Sequence, residues 1–336
     1  MLRAAVWMAM LEVAFTYNLP SSLFFRRQVL TKCNLAHMPL HRHFRPRLTP
    51  AMSQSISTER QGVGTATRER ERYVVFNRFQ TRDGAGAKFE KRWADRKSSL
   101  KQMEGFRLFS LLRRIDDDAS DSKGYPEDFQ DYMSMTVWEN KENFDSWRKG
   151  YAFKEAHGGG SLGGFLSAMI GSMMVLRTSP TPAMWDGLFP KASTKQLAAL
   201  ALQGRDEHGK VVADGKAKIP TDCFMTMDFY QLKDQSDDKF EQLWSQISPQ
   251  LQEDDRCLAS ILLRRAGSKA TRPDDAFTYA SCSFWPSEAV WKEWKESEGR
   301  PLLSSLEEQI SSSAAVENRF TSRWEGTLLL SAPNGI

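Results

Sequence analysis

Apolar and polar positions switch between a two-residue and a helical period along the stretch 72–188, and the switches predict the elements. In Tyr73–Phe79 (YVVFNRF), Val75 and Phe79 bracket the polar Asn77 on one face, which reads as a strand. Asp83–Ala87 is a turn. Lys88–Met103 (KFEKRWADRKSSLKQM) reads as a helix with Phe89, Trp93 and Leu100 inward, stopped by Gly105. Phe106–Arg114 (FRLFSLLRR) is a second strand. An acidic loop with Gly and Pro, Ile115–Asp131, leads to a third strand at Tyr132–Glu139. Lys141–Ala156 reads as a second helix, with Phe144, Trp147 and Tyr151 recurring on one face. Ser161–Met174 is apolar and rich in Gly and Met, consistent with a short helix, and Val175–Leu188 supplies a fourth strand with Trp185. The order β-α-β-β-α-β is the ferredoxin-like arrangement.

The pattern then starts again. Lys239–Trp244 (KFEQLW) repeats Lys88–Trp93 (KFEKRW) 151 residues later, and Leu262–Arg265 repeats Leu111–Arg114 (LLRR) at the same offset. Phe284-Trp285 and Trp294 repeat Val137-Trp138 and Trp147 at an offset of 147, the shorter loop Ala266–Ala276 accounting for the difference. Trp324-Glu325-Gly326 repeats Trp185-Asp186-Gly187. A single sheet of this kind covers one face with helices and leaves the other bare. Two copies can hide the bare faces by packing together or by joining edge to edge into a barrel. The organisation expected is a leader at residues 1–65, a first domain at 70–190, a linker at 191–220 with a short helix at Gln196–Gln203, and a second domain at 221–332.

Composition changes this picture at the N-terminus. Residues 1–60 hold eight Lys and Arg against two acids, so the formal charge of +4 for the 336-residue chain belongs to the leader and the remainder is −2. That balance argues against a nucleic-acid partner, which needs a basic patch on the folded body. The leader is rich in Arg, Ser and Thr behind a short apolar stretch, Ala4–Phe15, and fits an organelle transit peptide, a chloroplast being preferred and a mitochondrion the alternative. The long Arg- and Ser-rich continuation disfavours a secretory signal. No apolar run is long enough for a membrane-spanning helix. Cys33, Cys223, Cys257 and Cys282 form no C-x-x-C pair and suggest neither a zinc site nor a disulfide framework.

The body has only two histidines, His157 and His208. His157 ends the aromatic helix and precedes Gly158-Gly159-Gly160, a place suited to a ligand and equally to a cation at a helix C-terminus. Trp147 has a counterpart in the second copy, whereas the position matching His157 is Ser304 and that matching Asn77 is Asp228. Neither replacement preserves the chemistry: serine is no substitute for imidazole, and an ionised carboxylate donates no hydrogen bond.

Asn77-Arg78-Phe79, Gly105-Phe106, Thr136-Val137-Trp138, Phe144, Trp147, Phe153-Lys154 and Ala156-His157 together resemble the IsdG-type haem oxygenases of the antibiotic-biosynthesis-monooxygenase superfamily, over about Arg72–Leu188. The resemblance implies an α+β fold in which the two ferredoxin-like β-α-β-β-α-β repeats form an intramolecular dimeric α+β barrel, a monomer built as a pseudo-dimer. It also implies a haem-degrading monooxygenase that releases iron and a bilin-like product, with haem as both substrate and cofactor, dioxygen, and an external electron donor. His157 would be the proximal ligand to the haem iron. Asn77 would be the distal hydrogen-bond donor, and Trp147 would press on the macrocycle. Arg92 and Arg96, on the first helix, would stand near the propionates. The degenerate second copy would complete the barrel and bind no haem.

Two other functions use the same residues differently. A cofactor-independent monooxygenase acting on an aromatic or quinone substrate would make His157 dispensable. A haem-binding or transfer protein would keep the ligand without turnover.

Overall fold

The computed structural model describes residues 68–96, 98–115, 131–156, 170–192, 205–266, 277–297, 301, 304–305, 308–309 and 316–332, all within the compact unit Thr67–Ile336. The leader, most of the acidic loop before the third strand, His157, most of Ser161–Met174 and the Gln196–Gln203 helix lie outside the described residues.

Both copies of the predicted arrangement are present. The first consists of β1 (Arg72–Phe79), α1 (Gly86–Ala94), β2 (Phe106–Arg114), β3 (Tyr132–Trp138), α2 (Lys141–Lys149), α3 (Tyr151–Ala156) and β4 (Thr181–Ala192). The second consists of β5 (Cys223–Leu232), α4 (Asp237–Glu253), β6 (Ala259–Arg265), β7 (Tyr279–Trp285), α5 (Glu288–Glu296) and β8 (Val316–Ser331). The repeat extends to the caps: Asn140 accepts from the Asn143 N–H at the start of α2, and Ser287 from the Val290 N–H at the start of α5.

Three boundaries differ from the sequence expectation. The first helix stops at Ala94, where Asp95 closes it, and Leu100 is buried by a short 3-10 turn instead. Asp95, Ser98 and Ser99 in the interval compete with the helix through their own side chains. The second helix breaks at Gly150, whose ψ of 174° is extended. That break turns Tyr151 out to 74 % exposure, and Phe153, not Tyr151, meets Trp147 with ring centroids 4.9 Å apart. The fourth strand begins at Thr181 because residues 170–175 are helical.

The eight strands close into one barrel in the order β1-β3-β2-β8-β5-β7-β6-β4. Each half contributes its ferredoxin-like sheet, β4-β1-β3-β2 or β8-β5-β7-β6, and the halves join where β2 pairs β8 and β4 pairs β6. Closure removes every exposed edge. Alternate strand residues fill the interior, among them Val74, Phe76, Met135, Trp185, Met225, Met227, Cys282 and Trp324. The opposite face of each sheet lies under its own helices and forms a separate apolar cluster. Both joints carry a bulge with a non-glycine residue at positive φ, Phe189 (49°) in β4 and Leu328 (54°) in β8. These residues cross the joint: Phe189 packs on the second half's helical cluster and Leu328 on the first half's.

Candidate functional site

The helical face of the first half gathers most of the sequence-selected residues. On β1 the residues facing the helices are Tyr73, Val75, Asn77 and Phe79, since Tyr73, Val75 and Phe79 all belong to the cluster on that side. α1 covers one end of this face: Phe79 packs on Phe89 and Trp93 with centroids 5.1 and 5.7 Å apart, and Phe89 on Tyr132 at 4.8 Å. α2 covers the other end: Phe144 packs on Tyr73 at 5.4 Å and Trp147 on Trp138 at 5.4 Å. Tyr73 and Asn77 are four residues apart on an extended strand, about 13 Å. Between the two aromatic groups the sheet presents Val75 and Asn77, paired in register with Thr136 and Ser134. This strip of the sheet, between the two aromatic groups, carries one amide.

That amide is the unusual feature. Asn77 is only partly buried, in a strand otherwise almost wholly buried. It makes no side-chain hydrogen bond among the described residues. Among the described residues, neither of its two N–H donors is taken by a protein acceptor. Thr136, beside it, is already committed to the Val75 carbonyl at 3.3 Å.

The second half shows what the same place looks like when closed. Asp228 is held by Arg319 at 3.0 Å and by the Thr321 hydroxyl. Trp294, the counterpart of Trp147, is 4 % exposed and lies on Trp285 at 4.7 Å. Ser304 is exposed on a helical residue of its own stretch. The equivalent face is therefore satisfied by the protein itself.

Arg92 and Arg96 sit where α1 ends. The Arg92 guanidinium approaches the Ser172 hydroxyl at 3.4 Å, and it fills the space that a Cβ on Gly171 would need. Burial depresses the Arg92 pKa. Arg96 lies over the Trp93 ring at 3.8 Å. Burial, then the neighbouring Arg92 charge, pushes the Arg96 pKa down to about 10, so both guanidinia are still protonated at neutral pH. No carboxylate pairs with Arg96 among the described residues. The chain from which His157 comes returns to the sheet here: the Arg82 N–H donates to the Val175 carbonyl and the Arg177 N–H to the Gln80 carbonyl, both at 2.8 Å.

The sequence reading missed a buried polar cluster under α1. Glu90, fully buried, accepts from Arg113 Nη1 at 2.7 Å, from the Tyr132 hydroxyl at 2.7 Å and from the Ile219 N–H at 2.6 Å. Arg113 also pairs with Glu325 of β8 at 2.6 Å. Burial works against the Arg113 charge, but the hydrogen bonds and fields of Glu90 and Glu325 outweigh it and its pKa rises. Burial and then the bond to Glu90 raise that of Tyr132. The signal was in the repeat itself, because Glu90 and Arg113 recur as Glu241 and Arg264 inside the two matched motifs.

Comparison with known proteins bears on the same stretch. Residues 72–159 match the family model described as antibiotic biosynthesis monooxygenase. A haem oxygenase (staphylobilin-producing) of Staphylococcus saprophyticus is 32% identical over 89 residues, which cover 26% of this chain and 76% of that protein. A haem oxygenase (mycobilin-producing) of Mycobacterium tuberculosis is 35% identical over 86 residues, covering 26% of this chain and 70% of the relative. The crystal structure of a protein assigned as a monooxygenase from Fusobacterium nucleatum superposes with a TM-score of 0.50 at 7% identity, over 79% of this chain and 96% of the other. At that identity the last match speaks for the fold alone.

Proposed function

Because the chain belongs to the antibiotic biosynthesis monooxygenase superfamily, in its IsdG-type branch, we propose that it is a haem-degrading monooxygenase binding one haem per chain against the helical face of its first half. The observation that carries the reading is the contrast between Asn77, whose amide has no protein partner among the described residues, and Asp228, whose carboxylate is occupied by Arg319 and Thr321. The relatives that match this stretch are themselves haem oxygenases.

The residues present fit the group: an aromatic face, and, among the described residues, an amide without a side-chain partner and a guanidinium without a carboxylate. When bound, haem supplies the oxidisable macrocycle and the redox-active iron. The chain supplies the rest. His157, the next residue in sequence after α3, would offer a neutral imidazole to the haem iron. Asn77 would offer an N–H donor there and so favour negative charge on a neighbouring oxygen. Trp147, backed by Trp138 and Phe153, presents a rigid flat surface and keeps water from the reacting face. Arg92 and Arg96 supply cationic donors for two carboxylates. Electrons come from an external donor.

The test adds haem to the full chain, then ascorbate in air with catalase present, and follows the Soret band and iron release. One haem per chain, loss of the band and release of iron are expected. A band that persists makes the protein a haem carrier. No band at all makes it a cofactor-independent monooxygenase. Two haems per chain, or a spectrum unchanged by His157→Ala, would overturn the site.

We also propose, from its Arg- and Ser-rich composition, that the leader addresses the chain to a plastid. Residues 1–65 fused to a fluorescent reporter should localise there. A mitochondrial or cytosolic signal would reject it.

A further inference from the structure

We infer that the second half is a positioning element for the site in the first, and that Glu90 is the residue through which it acts. The inference rests on the reading of the first half as the haem site.

The contacts at the two joints are reciprocal. The Ile219 N–H donates to Glu90 Oε2, and 151 residues earlier the Arg68 N–H donates to Glu241 Oε2, at 3.1 Å. Arg113 donates to the Ile219 carbonyl at 3.2 Å, and Arg264 to the Arg68 carbonyl at 3.1 Å. The Tyr132 hydroxyl donates to Glu90, and the Tyr279 hydroxyl to Glu241, both at 2.7 Å. Arg113 meets Glu325 of β8, and Arg264 meets Asp186 of β4 at 3.4 Å. Each half thus gives the other its lead-in backbone and an acid from its last strand.

The consequence for the first half follows from what Glu90 is part of. It lies in the middle of α1, one helical turn before Trp93 and Ala94, the last two residues of the helix. Trp93 packs on Phe79, the next helix-facing residue after Asn77, and carries Arg96 on its ring. Leu328 of β8 and Ile219 share an apolar cluster with Ala94. A helix of nine residues is held by its tertiary contacts and not by its own propensity. Three of those contacts, Ile219, Glu325 through Arg113, and Leu328, come from the chain beyond the first repeat. If the Glu90–Arg113 pair is broken from either side, α1 and everything it positions would loosen, because a buried charge left without its partner is costly. The same cluster under α4 holds a face that the second half has closed with its own side chains, so the two clusters are chemically matched but differ in what they support.

That match supplies the control. Glu90→Gln and Glu241→Gln in the full chain are compared by haem titration and by deuterium uptake in Gly86–Ala94 and Asp237–Glu253. We expect each variant to speed exchange in its own helix, and Glu90→Gln alone to weaken haem binding, by about tenfold, the low end for loss of a supporting shell, with a shifted Soret maximum. Glu325→Gln, a change at the half-exposed rim of the same cluster, should act in the same direction more weakly and serves if Glu90→Gln fails to fold. Unchanged exchange in α1, or equal effects of both variants on haem, overturns the inference. A wild-type chain that takes up no haem would instead defeat the functional reading, and the exchange measurement would still decide whether the second half holds α1.

Discussion

Phe109 lies flat against Trp93, ring centroids 5.7 Å apart and planes 29° from parallel, while in the second half the partner of Trp244 at the same place is Ser260. The missing ring leaves a small cavity lined by Trp244, Ser260, Ser281, Ser283 and Phe189. The space is little larger than a water, so Ser260→Phe should overpack it and cost about 1–3 kcal/mol, read as a fall in Tm. A rise in the melting temperature would mean that Trp244 and Phe189 give way and the stack is rebuilt.

Asn77 has no side-chain partner to lose among the described residues, so Asn77→Ala should leave stability within about 0.5 kcal/mol in a urea titration. Haem turnover should fall by about 10²–10³, the usual loss when a single transition-state donor is removed. Unchanged turnover would remove Asn77 from the site.

Truncating the two equivalent tryptophans should separate stability from activity. Trp294 is fully enclosed, and Trp294→Ala should cost about 3–5 kcal/mol in unfolding experiments. Trp147 is only partly buried, so its truncation should cost less stability and yet be the one that alters haem degradation. Equal stability costs with equal activity would mean that both serve packing alone.

Asp222 supplies a pH-dependent term. Its carboxylate is buried and accepts from the Leu329 N–H at 2.7 Å at the β8 bulge. Burial raises its pKa above the ordinary carboxylate value, more than that bond and the Arg205 charge lower it. A carboxyl whose folded pKa lies above its unfolded one favours the folded state when protonated. Its contribution is complete below the unfolded pKa, about 3.9, and is lost as pH rises through the folded value. Asp222→Asn keeps an acceptor for Leu329 without the charge. The variant should therefore gain stability over the wild type between pH 4 and pH 7, read from urea midpoints at both. A variant that loses ground over that interval would show the ion pair with Arg205 to dominate.

Much of the scaffold was legible because repetition doubles the signal. Lys88–Trp93 and Lys239–Trp244 would each be a weak helix cue, but together they place two helices and, with the LLRR pairs, two strands. Val75 and Phe79 put Asn77 on one face by alternation, and it is there. The exceptions were local. Gly150 broke a helix whose apolar period ran straight through it, because period reports which face is apolar and not whether the backbone continues. Tyr151 consequently left the aromatic face and Phe153 replaced it.

Order along the chain determined the two halves, the faces of their strands and the difference between Asn77 and Asp228, since each of these depends on residue type and on near neighbours in sequence. The joints were decided only in three dimensions. That Ile219 closes Glu90, that Glu325 reaches Arg113, and that Leu328 packs over the opposite half all depend on which strand edges meet when the barrel closes. Pairing between β2 and β8 brings together residues more than 200 positions apart, and no local pattern encodes a contact of that kind.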